Sequence, residues 1–182
     1  MINTSSMKLI KHVERPIKKD TFLIELELKI NSSYLIKAIE EGINSNSNYN
    51  YVTHVKGKMT SWDHFVKDQY FLSLVKTGTN YLDEHISLTS CYLRDAWGTK
   101  VGYNDRIREH HHYGCIISGV LYLQDSDQEL YFRELDISIA PKKGKLILFS
   151  PLLKHGTKAS LNKKPRYSIA FNYNEDESQR WK

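Results

Sequence analysis

Apolar and polar positions alternate along several short stretches of the chain, and the alternation predicts strands. Residues 22–30 show it most cleanly. Phe22, Ile24, Leu26, Leu28 and Ile30 fall on one face, and Leu23, Glu25, Glu27 and Lys29 on the other, the period of two expected of a half-buried strand. Segments 7–13, 87–94, 116–123 (IISGVLYL), 145–150 (KLILFS) and 167–171 (YSIAF) also read as strands, separated by polar, turn-rich sequence. In the last of them Tyr167, Ile169, Phe171 and Tyr173 alternate with Arg166, Ser168, Ala170 and Asn172. The first set suits a core and the second suits the wall of a cavity.

Two stretches carry a helical period instead. Asn31, Ser32 and Ser33 offer N-caps to a short helix reaching Glu41, with Gly42 expected to terminate it. Across 61–86, Phe65, Leu72, Val75, Leu82 and Ile86 recur near helical spacing. Gly78 is expected to divide this stretch into two pieces that brace the outside of a sheet. Residues 44–50 (NSNSNYN) form a polar loop, either a lid or a tolerated insertion. The segment 95–105 is expected to connect two strands through Trp97, Gly98 and Gly102. The fold class is mainly β.

Three histidines, His110, His111 and His112, stand just before the 116–123 run. In an extended segment His110 and His112 share a face and His111 points away. Without a bulge, Gly114, Ile116, Ser118, Val120 and Tyr122 follow on that same side. Two imidazoles at i and i+2 bind one metal when a third ligand arrives from another strand, and His155, just past Phe149-Ser150-Pro151, is the candidate. Arg166 on the cavity face needs a partner, because an unpaired buried charge is costly. No acidic residue stands at a spacing that suggests one. A ligand carboxylate held by two parallel hydrogen bonds is its natural partner. Metal and inward arginine together imply a small dicarboxylate that chelates the metal at one end, which fits 2-oxoglutarate. Taken singly, each histidine reads better as a solvated or satisfied loop residue; their joint occurrence with Arg166 favours a metal site. His54, His64 and His85 lack ligand spacing and are expected to be structural or superficial.

Composition changes this picture little. The chain of 182 residues suits one domain over 1–182. It divides into N-terminal strands and supporting helices (1–87), a β core with the metal site (88–173) and a polar tail (174–182). The net charge of +5 invites a nucleic-acid reading, but the lysines scatter. Lys142, Lys143 and Lys145, and Lys163, Lys164 and Arg166, fall near strand-connecting turns, and no nucleic-acid-binding motif accompanies them. No apolar run is long enough for a membrane span, and MINTSSMKLIKHVERP lacks the apolar core of a signal peptide. A cytoplasmic location follows, with Cys91 and Cys115 as free core thiols. Trp97 belongs to the core or to a cavity wall, where it is a candidate for the substrate side. There is no P-loop, dinucleotide fingerprint or internal repeat.

The strings HHHYGCIISGVLYL (110–123), KGKLILFSPLLKH (143–155) and PRYSIAFN (165–172) together resemble the Fe(II)/2-oxoglutarate-dependent oxygenases. They look most like a prolyl-hydroxylase-like branch with an H-x-H-P…S-G-V-Y-Y-L signature. Trp97 matches a recurrent feature of that branch, and the resemblance covers residues 88–173. It implies a double-stranded β-helix, a jelly-roll (cupin-like) of two antiparallel sheets braced by N-terminal helices. It also implies iron(II) held by His110, His112 and His155. Arg166 would anchor the far carboxylate of 2-oxoglutarate, with Ser168 as hydroxyl helper and Tyr122 in the same pocket. Position 112 is His where the superfamily commonly has Asp or Glu, and Tyr113 stands where the branch often has Pro. The implied activity is hydroxylation of an unactivated C–H bond in a small molecule or protein side chain. Two alternatives stand beside it: a three-histidine cupin-type metalloenzyme that does not use 2-oxoglutarate, and a non-enzymatic jelly-roll binding module.

Overall fold

The computed structural model describes residues 7–15, 18–45, 53–86 and 91–176. Its strands are β1 (Met7–Arg15), β2 (Lys18–Glu27), β3 (Val55–Lys56), β4 (Lys58–Met59), β5 (Cys91–Val101), β6 (Arg106–Ile107), β7 (Ile117–Tyr122), β8 (Leu130–Phe132), β9 (Ile137–Ile139), β10 (Lys145–Phe149), β11 (His155–Thr157) and β12 (Arg166–Glu175). Two helices, α1 (Ser32–Ser45) and α2 (Gln69–Ile86), interrupt the series early.

Among the described residues the strands form a seven-stranded sheet of order β1-β2-β10-β7-β12-β5-β4, a three-stranded sheet β11-β8-β9 and a β3-β6 pair. The pairings between adjacent strands are antiparallel. The small sheets make a second layer over one face of the large one, and a bridge between His110 and His155 ties that layer together. This is the double-stranded β-helix expected from the sequence, with strands of two layers enclosing a lined interior.

Each face of the large sheet carries its own apolar cluster. Leu26, Leu148, Leu121 and Ile169 face α1 and α2, where they meet Leu35, Ile39, Phe71, Leu74 and Leu82. On the other face Leu23, Ile147, Phe149 and Tyr122 meet Leu130, Phe132, Ile139 and Leu153 of the second layer. Leu23 and Ile24 are neighbours in sequence yet belong to different clusters, because successive side chains leave a strand on opposite faces.

Both helices run further than expected, through the glycines thought to end or break them. Gly42 lies within α1. A β-carbon there would come within 2.5 Å of His64 Cε1, so the glycine makes room for a packed imidazole. Gly78 lies within α2 where a side chain would meet Leu148 and Leu146, so it lets the helix settle onto the sheet. The helix of 61–86 also begins later than expected. Asp68 caps it, accepting from Phe71 N at 2.8 Å, while the turn before it buries Phe65. Asn31 caps α1 as expected, accepting from Tyr34 N at 3.2 Å.

Strand β5 covers Trp97 and Gly98, where the sequence predicts a connection. Strands β8 and β9 lie where the sequence predicts no element. Residues 46–50 of the polar loop and 87–90 of the expected strand lie outside the described residues, as do 1–6 and 177–182.

Candidate metal centre

Four cross-strand rungs build the inner wall of the cavity on β5, β12 and β7. Arg166 pairs with Val101, Ser168 with Thr99 and Tyr122, Ala170 with Trp97 and Val120, and Asn172 with Asp95 and Ser118. The alternation along β12 therefore falls as its sequence suggested. Arg166, Ser168 and Ala170 line the cavity, whereas Tyr167, Ile169, Phe171 and Tyr173 join the helix-side core.

The histidines stand across from this wall. His155 opens β11 after a turn closed by Leu153 N donating to Ser150 O at 3.0 Å. His110 is held to it by reciprocal main-chain bonds of 3.0 and 2.9 Å. His112 N donates to Pro151 O at 2.7 Å, which hangs it on the same turn. The ligating atoms of His110, His112 and His155 lie within 4.8 Å of one another, and all three residues line the cavity that also contains Arg166, Ser168, Tyr122 and Trp97.

The extended segment expected from His110 onward does not continue. Gly114 adopts φ +72°, a left-handed turn that glycine enters without steric cost, and β7 starts only at Ile117. Ile116 consequently packs toward the helix-side core and not into the cavity, while Ser118, Val120 and Tyr122 do line it. His111 is outside the close group of three. It packs edge-on against Tyr113 at 4.3 Å and lines an outer cleft.

Imidazole tautomers follow from the hydrogen bonds. His110 Nδ1 lies 2.8 Å from Arg108 O and His155 Nδ1 lies 2.8 Å from Leu153 O. A carbonyl only accepts, so Nδ1 carries the proton and Nε2 keeps a free lone pair, the arrangement typical of a ligating histidine. Burial lowers the pKa of all three imidazoles, His112 to about 3 and His155 well below its ordinary value, with their mutual repulsion adding to the effect. They are therefore neutral at neutral pH, as ligands must be. Among the described residues no carboxylate joins the group of three.

Arg166 is 3% exposed. Its Nε donates to Gln128 Oε1 at 3.1 Å, and its Cζ sits 5.2 Å from the Tyr122 ring centroid. Both terminal nitrogens, Nη1 and Nη2, are buried without a hydrogen-bond partner among the described residues, and burial pushes the guanidinium below its ordinary pKa. Such orphaned donors are costly and mark where a ligand anion fits. One rung nearer the cavity mouth, Thr99 Oγ1 and Ser168 Oγ share a hydrogen bond of 2.8 Å. An anion at Arg166 thus has two hydroxyls beside it. A guanidinium, two hydroxyls and three free imidazole nitrogens in one cavity suit a metal-chelating dicarboxylate.

The outer cleft, of about 330 Å³, shares His110, His112 and Trp97 with the cavity. Trp62 meets Trp97 edge-to-face at 4.5 Å. Trp97 is 5% exposed, and its Nε1 is buried without a partner. The charges here are already compensated, with Arg94 Nε on Asp95 Oδ2 at 2.6 Å. Asn172 Nδ2 donates to Asp95 Oδ1 at 2.6 Å, and Ser118 Oγ donates to Asn172 Oδ1 at 2.7 Å.

Thr99 and Gln128 escaped the sequence reading. Thr99 stands two residues after Trp97, a signal that becomes usable once β5 is known to be a strand. Gln128, in a loop, gives none. His54, expected to be structural or superficial, stacks its ring on His110 at 4.6 Å and 9°. His64 is structural as expected, its Nε2 3.0 Å from Ala38 O. The side chain of His85 lies outside the described residues. Cys91 and Cys115 are free, half-buried thiols, and burial pushes both up in pKa.

No protein-family model matches the chain, and no curated protein matches it. Solved structures do. A viral collagen prolyl hydroxylase from Paramecium Bursaria Chlorella virus-1, in a 2-oxoglutarate complex, matches with TM-score 0.67 at 14% identity, over 85% of this chain and 96% of that one. A Pseudomonas putida prolyl-4-hydroxylase matches with TM-score 0.61 at 12% identity, over 85% and 92%. HygX from Streptomyces hygroscopicus, with nickel and 2-oxoglutarate bound, matches with TM-score 0.57 at 13% identity, over 85% and 83%. At these identities the likeness is one of fold.

Proposed function

We propose that the chain is an iron(II)- and 2-oxoglutarate-dependent oxygenase that hydroxylates an unactivated C–H bond. The observation that carries this reading is the pairing, within one cavity, of three ligand-ready imidazoles with a buried arginine whose terminal nitrogens have no partner. The fold it shares with 2-oxoglutarate-bound structures supports it.

His110 and His155 would hold the metal through Nε2, the nitrogen their hydrogen bonds leave free, and His112 would complete the set. The donor set is neutral, so a divalent ion keeps its full charge, which the dianionic co-substrate offsets. Iron(II), when bound, supplies the redox chemistry: one atom of dioxygen ends in succinate as 2-oxoglutarate loses carbon dioxide, and the other ends in the substrate hydroxyl. Arg166 takes the far carboxylate in a two-pronged bond, a geometry suited to its planar fork. Ser168 and Thr99 share one hydrogen bond, which leaves at most one hydroxyl proton between them to donate beside it, and the Tyr122 ring backs the guanidinium. Val120, Leu130, Phe149 and Ala170 line the rest of the cavity and exclude water, which limits turnover without substrate.

Substrate, a small molecule or a protein side chain, enters from the outer cleft. There Trp62 and Trp97 offer flat apolar surface, and Trp97 Nε1 offers a donor that is otherwise unmatched. The balanced charges of the cleft suit an uncharged group. Among the described residues no helix is long and apolar enough to cross a membrane, and the free thiols fit the cytoplasm.

The all-histidine donor set favours a second reading, a cupin-type metalloenzyme that does without 2-oxoglutarate. Arg166 separates the two, since that enzyme has no need of a second carboxylate anchor. The test is anaerobic titration of 2-oxoglutarate into the iron(II) protein, followed by succinate release on admitting oxygen. Binding and oxygen-dependent succinate support the oxygenase. Stoichiometric metal without 2-oxoglutarate binding supports the second reading, and absence of metal supports a binding module.

A further inference from the structure

Gln128 precedes β8 and is 4% exposed. Its carboxamide spends both functions on fixed partners. Nε2 donates to Asp105 O at 3.0 Å and to Lys158 O at 2.7 Å, and Oε1 accepts from Arg166 Nε at 3.1 Å. Only this orientation is compatible with its surroundings. A flipped amide would set its oxygen against two carbonyls and its hydrogens against a guanidinium, which has no acceptor. Two main-chain carbonyls from separate loops therefore lock the amide, and the amide in turn holds Arg166 by its Nε.

That leaves the terminal nitrogens of Arg166, with four N–H donors between them, as the part without a partner. The chemistry of the lock matters as much as its position. A carboxylate at 128 would neutralise the guanidinium and repel the two carbonyls, whereas a neutral amide occupies Nε and leaves the charge for a ligand.

We propose that Gln128 is a positioning residue that presents the terminal nitrogens of Arg166 to the cavity, and so sets the preference of the site for a 2-oxo acid with a second carboxylate. This rests on the co-substrate reading above. Gln128 acts on co-substrate affinity only through Arg166, so its removal changes that affinity no further once Arg166 is gone.

The test compares two probes on the anaerobic iron(II) protein by calorimetry. One is 2-oxoglutarate and the other is 2-oxopentanoate, which has the same carbon chain with a methyl group in place of the far carboxylate. Gln128→Met, of matched length, is expected to weaken 2-oxoglutarate by about tenfold, the effect of a charge-assisted hydrogen bond, and to leave 2-oxopentanoate and iron content unchanged. Gln128→Glu, of matched shape, is expected to erode the same discrimination by pairing with Arg166, and it decides the matter if the Met variant does not fold. In an Arg166→Ala background, Gln128→Met is expected to change neither affinity. Equal weakening of both acids, or a further loss in the Arg166→Ala background, overturns the inference while the co-substrate reading stands. A wild-type protein that fails to prefer 2-oxoglutarate over 2-oxopentanoate overturns both.

Discussion

His110 and His155 are joined by a reciprocal pair of main-chain hydrogen bonds, 3.0 and 2.9 Å long, and their ring centroids lie 4.4 Å apart. The backbone pairing itself brings these two imidazoles together. Truncating one of the imidazoles should therefore leave the strands paired. His110→Ala, His112→Ala and His155→Ala are each expected to fold and to lose most bound metal by elemental analysis. His111→Ala should retain it. His112→Asp should also retain iron, at lower affinity because the side chain is shorter. Equal metal loss in the His111 and His112 variants would contradict the ligand assignment.

Arg166→Ala is expected to weaken 2-oxoglutarate by at least roughly a hundredfold, since each charge-assisted hydrogen bond contributes about 1.5–3 kcal/mol and 1.4 kcal/mol is tenfold. Iron content should not change. Arg166→Lys should fall between, keeping the charge without the fork. Thr99→Val and Ser168→Ala each remove a neutral hydroxyl and should cost about tenfold or less. Anaerobic titration reads all four, and an unchanged affinity in folded Arg166→Ala would remove the far-carboxylate anchor.

The metal-free protein should be acid-sensitive. Burial holds the three imidazoles below their ordinary pKa, His112 at about 3, so on acidification the unfolded chain takes up protons before the folded one does. Stability from this source is complete above the unfolded value of about 6.5 and is lost as pH falls below it. The slope is at most about 1.4 kcal/mol per pH unit for each histidine. Urea unfolding at pH 7.5, 6 and 5 measures the trend, and His112→Asn should flatten it. Stability that holds level or rises on acidification would contradict the buried, neutral state of the triad.

Gly42→Ala should destabilise the fold even though alanine is the better helix former by about 1 kcal/mol. The added β-carbon would lie 2.5 Å from His64 Cε1 and 2.8 Å from Thr60 Cγ2. Overpacking of this kind costs about 1–3 kcal/mol, enough to outweigh the propensity gain. A thermal melt of the variant measures the balance. An undiminished melting temperature would mean that α1 and His64 do not pack as described.

Strands with an alternating or a continuously apolar pattern were legible in the sequence, and strands with neither were not. β12 separates Arg166 and Ser168 from Ile169 and Phe171, so its alternation announces both the core and the cavity. β5 has a cavity face of Asp95, Trp97 and Thr99 and a helix face that includes Gly98, which lies under Ile39. That pattern resembles a loop. β8, β9 and β11 have three residues each, too few to show any period. Gly42 and Gly78 looked like helix ends because the groups that require their small size, His64 and Leu148, are remote in sequence. The grouping of His110, His112 and His155 was legible through spacing and context, although the chain leaves the extended form at Gly114. Gln128 was not, because its role depends on two main-chain carbonyls.

Two imidazoles of the triad lean on the main chain two residues before them, His110 on Arg108 O and His155 on Leu153 O. Any amino acid at 108 or 153 supplies the same carbonyl. The support of these imidazoles thus does not depend on which side chain stands at either position, although Leu153 also packs in the second-layer core. A protein built this way can keep its active constellation while its sequence diverges past recognition, which accords with a shared fold at 14% identity and no matching family model.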